Sequence, residues 1–164
     1  LKIIRKEHIS FRPSLSIGED MLFVFQYLQH CRSIRFSKDA SYHYTIAPGS
    51  AMLSSRDYTQ PYEKTFAVMS EKGGFSLPIA DGTLSRWAFD ASIIIVANPF
   101  IIDRSYTEFK KWWREFCQTA LYRSAVASEK PSSYKRKVLH FALHSENTLA
   151  IYVLFRLLRF GKKK

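Results

Sequence analysis

The chain has few of the residues that build redox centres, flexible linkers or membrane spans. Its 164 residues include only two cysteines, Cys31 and Cys117, whose spacing fits no metal or redox motif, so a reduced cytoplasmic setting is expected. Glycine and proline occur six times each, which argues against disorder. The longest apolar stretch, residues 91–102, is too short to cross a bilayer, and no signal-peptide pattern opens the sequence.

Several catalytic signatures are also missing from the sequence. There is no Gly-x-Ser-x-Gly elbow, so hydrolase chemistry has no support. There is no glycine-rich phosphate loop and no Asp-x-Asp metal motif. His140 and His144 are four residues apart and would share a helix face, but no third ligand is evident. We therefore interpret these histidines as helix-surface residues and predict no metal site in this chain.

The composition is that of one folded domain with an uneven charge. Hydrophobic residues make up 46% of the chain and aromatic residues 15%, which is enough to bury a core. Of the net charge of +11, residues 1–103 carry +1 and residues 104–164 carry +10. This asymmetry indicates either an anionic partner for the last third or a solvated basic face, and composition favours neither.

Hydrophobic periodicity predicts a largely helical chain with one short strand. Residues 19–34 form a helical pattern in which Met21, Val24, Phe25 and Leu28 share a face. Further helices are predicted at 60–72, at 84–97, after a capping box at 105–108, at 134–144 and at 147–160. Residues 42–46 alternate with the period of a strand. The expected fold class is therefore α+β, predominantly helical.

One pattern in the first third resembles a known family. An apolar residue, a short loop, a Gly-Glu-Asp segment that opens a helix, a Tyr-x-Tyr strand and a serine-containing turn follow one another over residues 11–50. The matching positions are Phe11, Gly18, Glu19, Asp20, Tyr42, Tyr44 and Ser50. This order resembles the acceptor side of the catalytic domain in family-two glycosyltransferases of the GT-A fold. The resemblance covers about residues 1–52 and none of the helical region beyond.

The resemblance implies an inverting transfer of a sugar from a nucleotide-sugar to an acceptor hydroxyl. Asp20 would be the general base, because a positioned carboxylate can take the proton of an attacking alcohol. Glu19 would be a second catalytic-site acid that contacts or orients the acceptor. Tyr42, His43 and Tyr44 would contact the acceptor, although packing within a strand explains these aromatic residues as well.

The resemblance also implies what lies outside this sequence. The family holds its donor and a divalent metal, Mg or Mn, in an amino-terminal half that ends in Asp-x-Asp, and that motif does not occur here. Residues 1–60 would then be the acceptor-side segment of the catalytic domain and residues 61–164 a helical carboxyl-terminal region. We expect this piece alone to bind no metal, to be inactive and to be prone to self-association.

The expected partners in the whole protein are a nucleotide-sugar and a glycan or glycolipid acceptor of surface polysaccharide synthesis. Residues 147–164 predict an apolar helix with a basic end, which fits either an anionic membrane surface at the inner face of the membrane or a buried core helix. The alternative function is a non-catalytic helical module whose basic last third binds anionic lipid or nucleic acid.

Overall fold

The computed structural model describes residues 2–39, 56–71, 81–128, 133–145 and 147–160, and it is predominantly helical, as expected. Within these ranges the elements are α1 Lys2–Lys6, α2 Glu19–Leu28, α3 Thr59–Ser70, α4 Asp81–Val96, α5 Pro99–Ile102, α6 Tyr106–Phe116, α7 Ala120–Val126, α8 Tyr134–His144 and α9 Thr148–Phe160. The described ranges contain helices and no strand. The strand expected at 42–46 falls outside them. The division of the chain at residue 60 stays a prediction, and it falls inside α3.

Polar side chains cap the amino-terminal ends of α5, α6 and α7. The Asn98 side chain accepts a hydrogen bond from the amide of Phe100 at the start of α5. The Ser105 side chain and Glu108 form the predicted capping box at the start of α6. Thr119 accepts from the amide of Tyr122 and opens α7. Each cap satisfies an amide that the first helical turn leaves unbonded, so the chain can turn sharply and begin again.

The main core lies where α4 packs on α7 and α3, and where α6 packs on α9. Its fully buried large side chains include Ile95, Phe109, Phe116, Leu121 and Phe155. Trp112 and Trp113 are neighbours in α6, yet both join the core, and only 7% of Trp112 is accessible. The ring of Trp112 is covered because it stacks on Phe116, with 5.0 Å between centroids.

The helix predicted over residues 19–34 is shorter than expected, and only part of its predicted face, Met21 and Phe25, packs on a core cluster. It ends at Leu28, because the amides of His30 and Cys31 turn back onto carbonyls three residues earlier, which tightens and closes the last turn. Leu22 is the buried contact, at 1% exposure, whereas Val24 is 48% exposed. The buried stripe is set by a small second cluster that Leu22 forms with Leu15 and with Met69 of α3.

Side-chain bonds tie distant helices together. Arg136 of α8 donates to Asp90 of α4 at 2.6 Å, and the hydroxyl of Tyr122 donates to the carbonyl of Leu143 at 2.5 Å. In the part of the chain that is described, no helix is both long and apolar enough to cross a membrane.

Candidate functional site

The start of α2 presents the two acidic residues that the sequence singled out. Gly18 is the N-cap residue, and Glu19 and Asp20 form the first turn. Asp20 is exposed, and its Oδ1 accepts a hydrogen bond from the amide of Met21 at 2.7 Å. The positive end of the helix dipole favours negative charge at this position. One oxygen of the carboxylate is therefore held by the backbone while the side chain remains accessible to solvent.

The conformation of this segment depends on α3. Gly18 has φ +74°, which is the left-handed region where side chains are strained. The fully buried Thr65 of α3 donates its hydroxyl proton to the carbonyl of Ile17 at 2.5 Å. A β-carbon on Gly18 would come within 2.9 Å of Thr65 Cγ2. Only glycine fits both the backbone angle and the space, so α3 fixes the direction in which the acidic turn leaves the core.

The structure describes only some of the other residues that carry the family resemblance. Phe11 is 56% exposed, and its ring stacks on Phe23 of α2 with centroids 4.6 Å apart. This stack joins the loop that precedes Gly18 to the helix that follows it. The remaining residues of the pattern lie outside the described ranges, namely Tyr42, His43, Tyr44 and Ser50. Their predicted role as acceptor contacts stays a prediction.

A pocket that sequence reasoning missed lies between α3 and α6. This pocket has a volume of about 530 Å³. It is lined by Arg56, Asp57, Thr59, Gln60, Pro61, Glu63, Trp112, Glu115, Phe116 and Thr119. No sequence signal joins residues 56–63 to 112–119, because the two segments meet only through tertiary packing.

The pocket has charges of both signs and a defined polar wall. The indole of Trp112 donates to Thr59 Oγ1 at 3.3 Å, and Asp57 pairs with Arg104 at 3.4 Å. Burial raises the pKa of Glu63, and the nearby negative charge of Asp57 raises it further. A carboxyl group with a raised pKa and an aromatic donor suit hydrogen bonding to a polar organic ligand, but the wide mouth and mixed charge identify no particular one.

Ring nitrogens of the α8 histidine pair face the protein backbone. The interpretation of both as helix-surface residues was wrong for His140, which is only 8% exposed. His140 Nε2 lies 3.1 Å from the carbonyl oxygen of Ser128. Both ring nitrogens of His144 lie 2.7 Å from carbonyl oxygens, those of His140 and Val126. Three of the four ring nitrogens thus face backbone acceptors. Across the described ranges, no three His, Cys, Asp or Glu residues are grouped so that they could hold a metal ion.

Comparison of the chain with protein-family models, with curated proteins and with solved structures found no match. The function is therefore inferred from the residues of this chain. Glu19, which is half-buried, and Asp20, which is exposed, lie in the first turn of α2, directly after a segment that the buried Thr65 bonds. The sequence identified the two acids but gave no sign of Thr65, because 48 residues separate it from its partner Ile17.

Proposed function

We propose that this chain is the acceptor-side part of an inverting family-two glycosyltransferase, one that serves surface polysaccharide or glycolipid synthesis. The observation that carries the proposal is the Gly18-Glu19-Asp20 turn. It opens a helix, its Asp20 is exposed to solvent, and the buried Thr65 bonds the carbonyl of Ile17 directly before it. A catalytic carboxylate needs this combination of access and rigid support. The order of residues from Phe11 to Ser50, which resembles the family, supplies the second support.

In the proposed mechanism Asp20 is the general base. Its carboxylate takes the proton of the acceptor hydroxyl while that oxygen forms a bond to the anomeric carbon of the donor sugar. The bond between the sugar and the nucleotide diphosphate breaks, and the diphosphate leaves with the bonding electron pair. Attack from the opposite face inverts the anomeric configuration. The backbone amide of Met21 holds Oδ1 of Asp20, which leaves the second carboxylate oxygen to receive the proton.

Glu19 has a different role in this proposal. Adjacent helical residues point about 100° apart, so Glu19 and Asp20 cannot both face the same acceptor hydroxyl. We assign Glu19 to a hydrogen bond with a neighbouring hydroxyl of the acceptor, which orients the sugar for attack. Tyr42, His43 and Tyr44 are proposed to complete the acceptor contacts.

The donor side of the reaction needs residues beyond this chain. In the proposal an amino-terminal GT-A half binds the nucleotide-sugar and a divalent metal, Mg or Mn, which would neutralise the diphosphate as it leaves. The chain described here would supply the acceptor half of that fold and the helical region behind it. The whole protein would work at the cytoplasmic face of a membrane, where lipid-linked acceptors are available.

The test is sugar transfer by the natural protein that carries these residues. The protein is incubated with a panel of nucleotide-sugars, a divalent metal and candidate glycan or lipid-linked acceptors, and the products are identified by mass spectrometry and NMR. The proposal expects a product whose new linkage has the opposite anomeric configuration to the donor. Retention of configuration, or no transfer from any donor by a folded protein, would refute it.

A further inference from the structure

The outer face of α9 is apolar and uncovered. Four large side chains point outward here, with exposures of 50% for Leu149, 45% for Val153, 64% for Leu157 and 47% for Leu158. Leu149, Val153 and Leu157 follow at intervals of four residues, which places them in one stripe along the helix. Ala150 is also exposed, so all the strongly exposed side chains described between Leu149 and Leu158 are apolar. We call these five residues the apolar face of α9.

The opposite side of α9 already has its partner. Ile151, Tyr152 and Phe155 are buried in the main core, where Tyr152 packs on Phe109 of α6 with ring centroids 5.1 Å apart. Packing therefore explains half of the helix and leaves the apolar face unexplained. Exposed apolar surface of this extent marks an interaction site, because single exposed leucines are common but a continuous stripe of them is costly in water.

The charge of the segment that contains α8 and α9 indicates what covers the apolar face. Residues 133–164 contain eight Lys or Arg and one Glu, a net charge of +7. Within α8, Lys135 and Lys137 are exposed, and no acidic residue occurs in either α8 or α9. A leucine-rich face on a strongly basic segment matches an anionic phospholipid surface, because acyl chains cover apolar side chains and anionic headgroups attract lysines.

Helix α8 has an exposed face of the same kind. Tyr134 is 80% exposed and Phe141 is 77% exposed, and they stand seven residues apart on one side of the helix. Lys137 lies between them on that side. Aromatic rings beside lysines are typical of protein that meets lipid at the headgroup level. Helix α8 packs on α9, so the two exposed faces belong to one part of the fold.

We propose that α8 and α9 dock on an anionic phospholipid bilayer, with the apolar face of α9 inserted among the lipids. Helix α9 has 13 residues, so it lies along the surface and does not cross the bilayer. Nucleic acid fits less well, because the centre of the surface is apolar where a phosphate backbone would need positive charge. The proposal is independent of whether the chain transfers a sugar.

The test measures partition of this chain onto vesicles. Binding is expected to vesicles of phosphatidylcholine with roughly 30% phosphatidylglycerol, to be weak on phosphatidylcholine alone and to decrease with salt. The double substitution Val153→Glu, Leu157→Glu should lower the partition coefficient at least about tenfold. The matched control is the double substitution Ile34→Glu, Phe36→Glu, which adds the same two charges at residues that are 57% and 95% exposed in another part of the fold. It should leave partition almost unchanged.

Three further variants distinguish binding through α8 and α9 from binding through positive charge in general. Lys135→Gln, Lys137→Gln should weaken binding more than Lys110→Gln, Lys111→Gln, which removes two exposed lysines from α6. Leu157→Trp should gain fluorescence that brominated lipids quench, which reports insertion directly in a folded protein. Circular dichroism and thermal unfolding confirm that each variant keeps its fold.

The following outcomes would overturn the proposal. They are absence of binding by the unmodified chain, equal binding by the Val153→Glu, Leu157→Glu variant and the Ile34→Glu, Phe36→Glu control, and a Leu157→Trp signal that brominated lipids leave unquenched. Binding to duplex DNA that exceeds vesicle binding would assign the basic surface to nucleic acid. A dimer that the glutamates dissociate, without vesicle binding, would assign the apolar face to self-association.

Discussion

A β-carbon on Gly18 would stand 2.9 Å from Cγ2 of Thr65, closer than side-chain contacts allow. This relationship joins the first turn of α2 to the middle of α3 across a long stretch of chain. It makes Gly18 necessary for two separate reasons, its left-handed φ of +74° and the absence of space for a side chain. The position of Asp20 depends on it, and the proposed function depends on Asp20.

Gly18→Ala should destabilise the protein by about 1–3 kcal/mol, because alanine is strained at positive φ and its methyl group meets Thr65. The matched control is Gly82→Ala at the start of α4, where an added β-carbon meets nothing within 4 Å. That change should shift stability by less than about 1 kcal/mol, toward a more stable helix. The measurement is denaturant unfolding followed by circular dichroism. Equal effects of the two substitutions would show that Gly18 is not constrained as described.

Thr65→Val should cost about 1–3 kcal/mol, because valine keeps the shape but leaves the buried carbonyl of Ile17 without its donor. Ser70→Ala is the control, since Ser70 also donates to a carbonyl of α3 but is exposed to solvent. It should change the free energy of unfolding by less than about 0.5 kcal/mol. A loss in Thr65→Val no greater than that of Ser70→Ala would mean that the bond to Ile17 does not hold the start of α2.

Tyr122→Phe should destabilise the protein by about 1–2 kcal/mol, because the carbonyl of Leu143 in the last turn of α8 loses its hydroxyl donor. Burial raises the pKa of Tyr122, so this hydroxyl keeps its proton through the neutral range. Tyr134→Phe, at a residue that is 80% exposed, is the control. Thermal unfolding is measured for both variants. Faster amide exchange near the end of α8 is expected for Tyr122→Phe and not for Tyr134→Phe. Identical unfolding and exchange would contradict the assignment.

Glu63→Gln should stabilise the protein at neutral pH. Burial and Asp57 raise the pKa of Glu63 above its usual value of 4.5, so ionisation costs the folded state more than the unfolded chain. The cost appears as pH rises from 4.5 through the raised pKa and is constant above it. The stability gained by the glutamine variant should therefore be present at pH 7 and disappear below 4.5. Unfolding curves at several pH values test this. The prediction would be contradicted if the free energy of unfolding of the glutamine variant fell relative to that of the parent as pH rises.

Sequence patterns correctly predicted the features that depend on interactions between residues close together in the chain. The capping box at Ser105 and the bounds of α8 were predicted correctly, because each depends on residues within a few positions of one another. The early end of α2, the burial of Trp112 and the pocket beside Glu63 were not predicted. Each depends on contacts between distant segments, and periodicity along one helix does not reveal which neighbour will cover it.

The candidate site was likewise predicted where it depends on local sequence and missed where it depends on distant contacts. The sequence identified Glu19 and Asp20 as a first-turn pair and predicted a helix there, which the structure contains. It did not reveal that Thr65 sets the backbone geometry at Gly18, since no pattern joins residues 48 positions apart. The catalytic roles assigned to the two acids stay predictions.

The most direct test of the central claim is sugar transfer by the natural protein after Asp20→Asn, a change that keeps the size of the side chain and removes its basicity. The account predicts that the transfer rate decreases by at least about 100-fold, as expected for loss of a general base, while fold and donor binding are retained. Asp39→Asn, an exposed residue outside the helix, should keep nearly full activity. Full transfer by Asp20→Asn would contradict the assignment of Asp20 as the base.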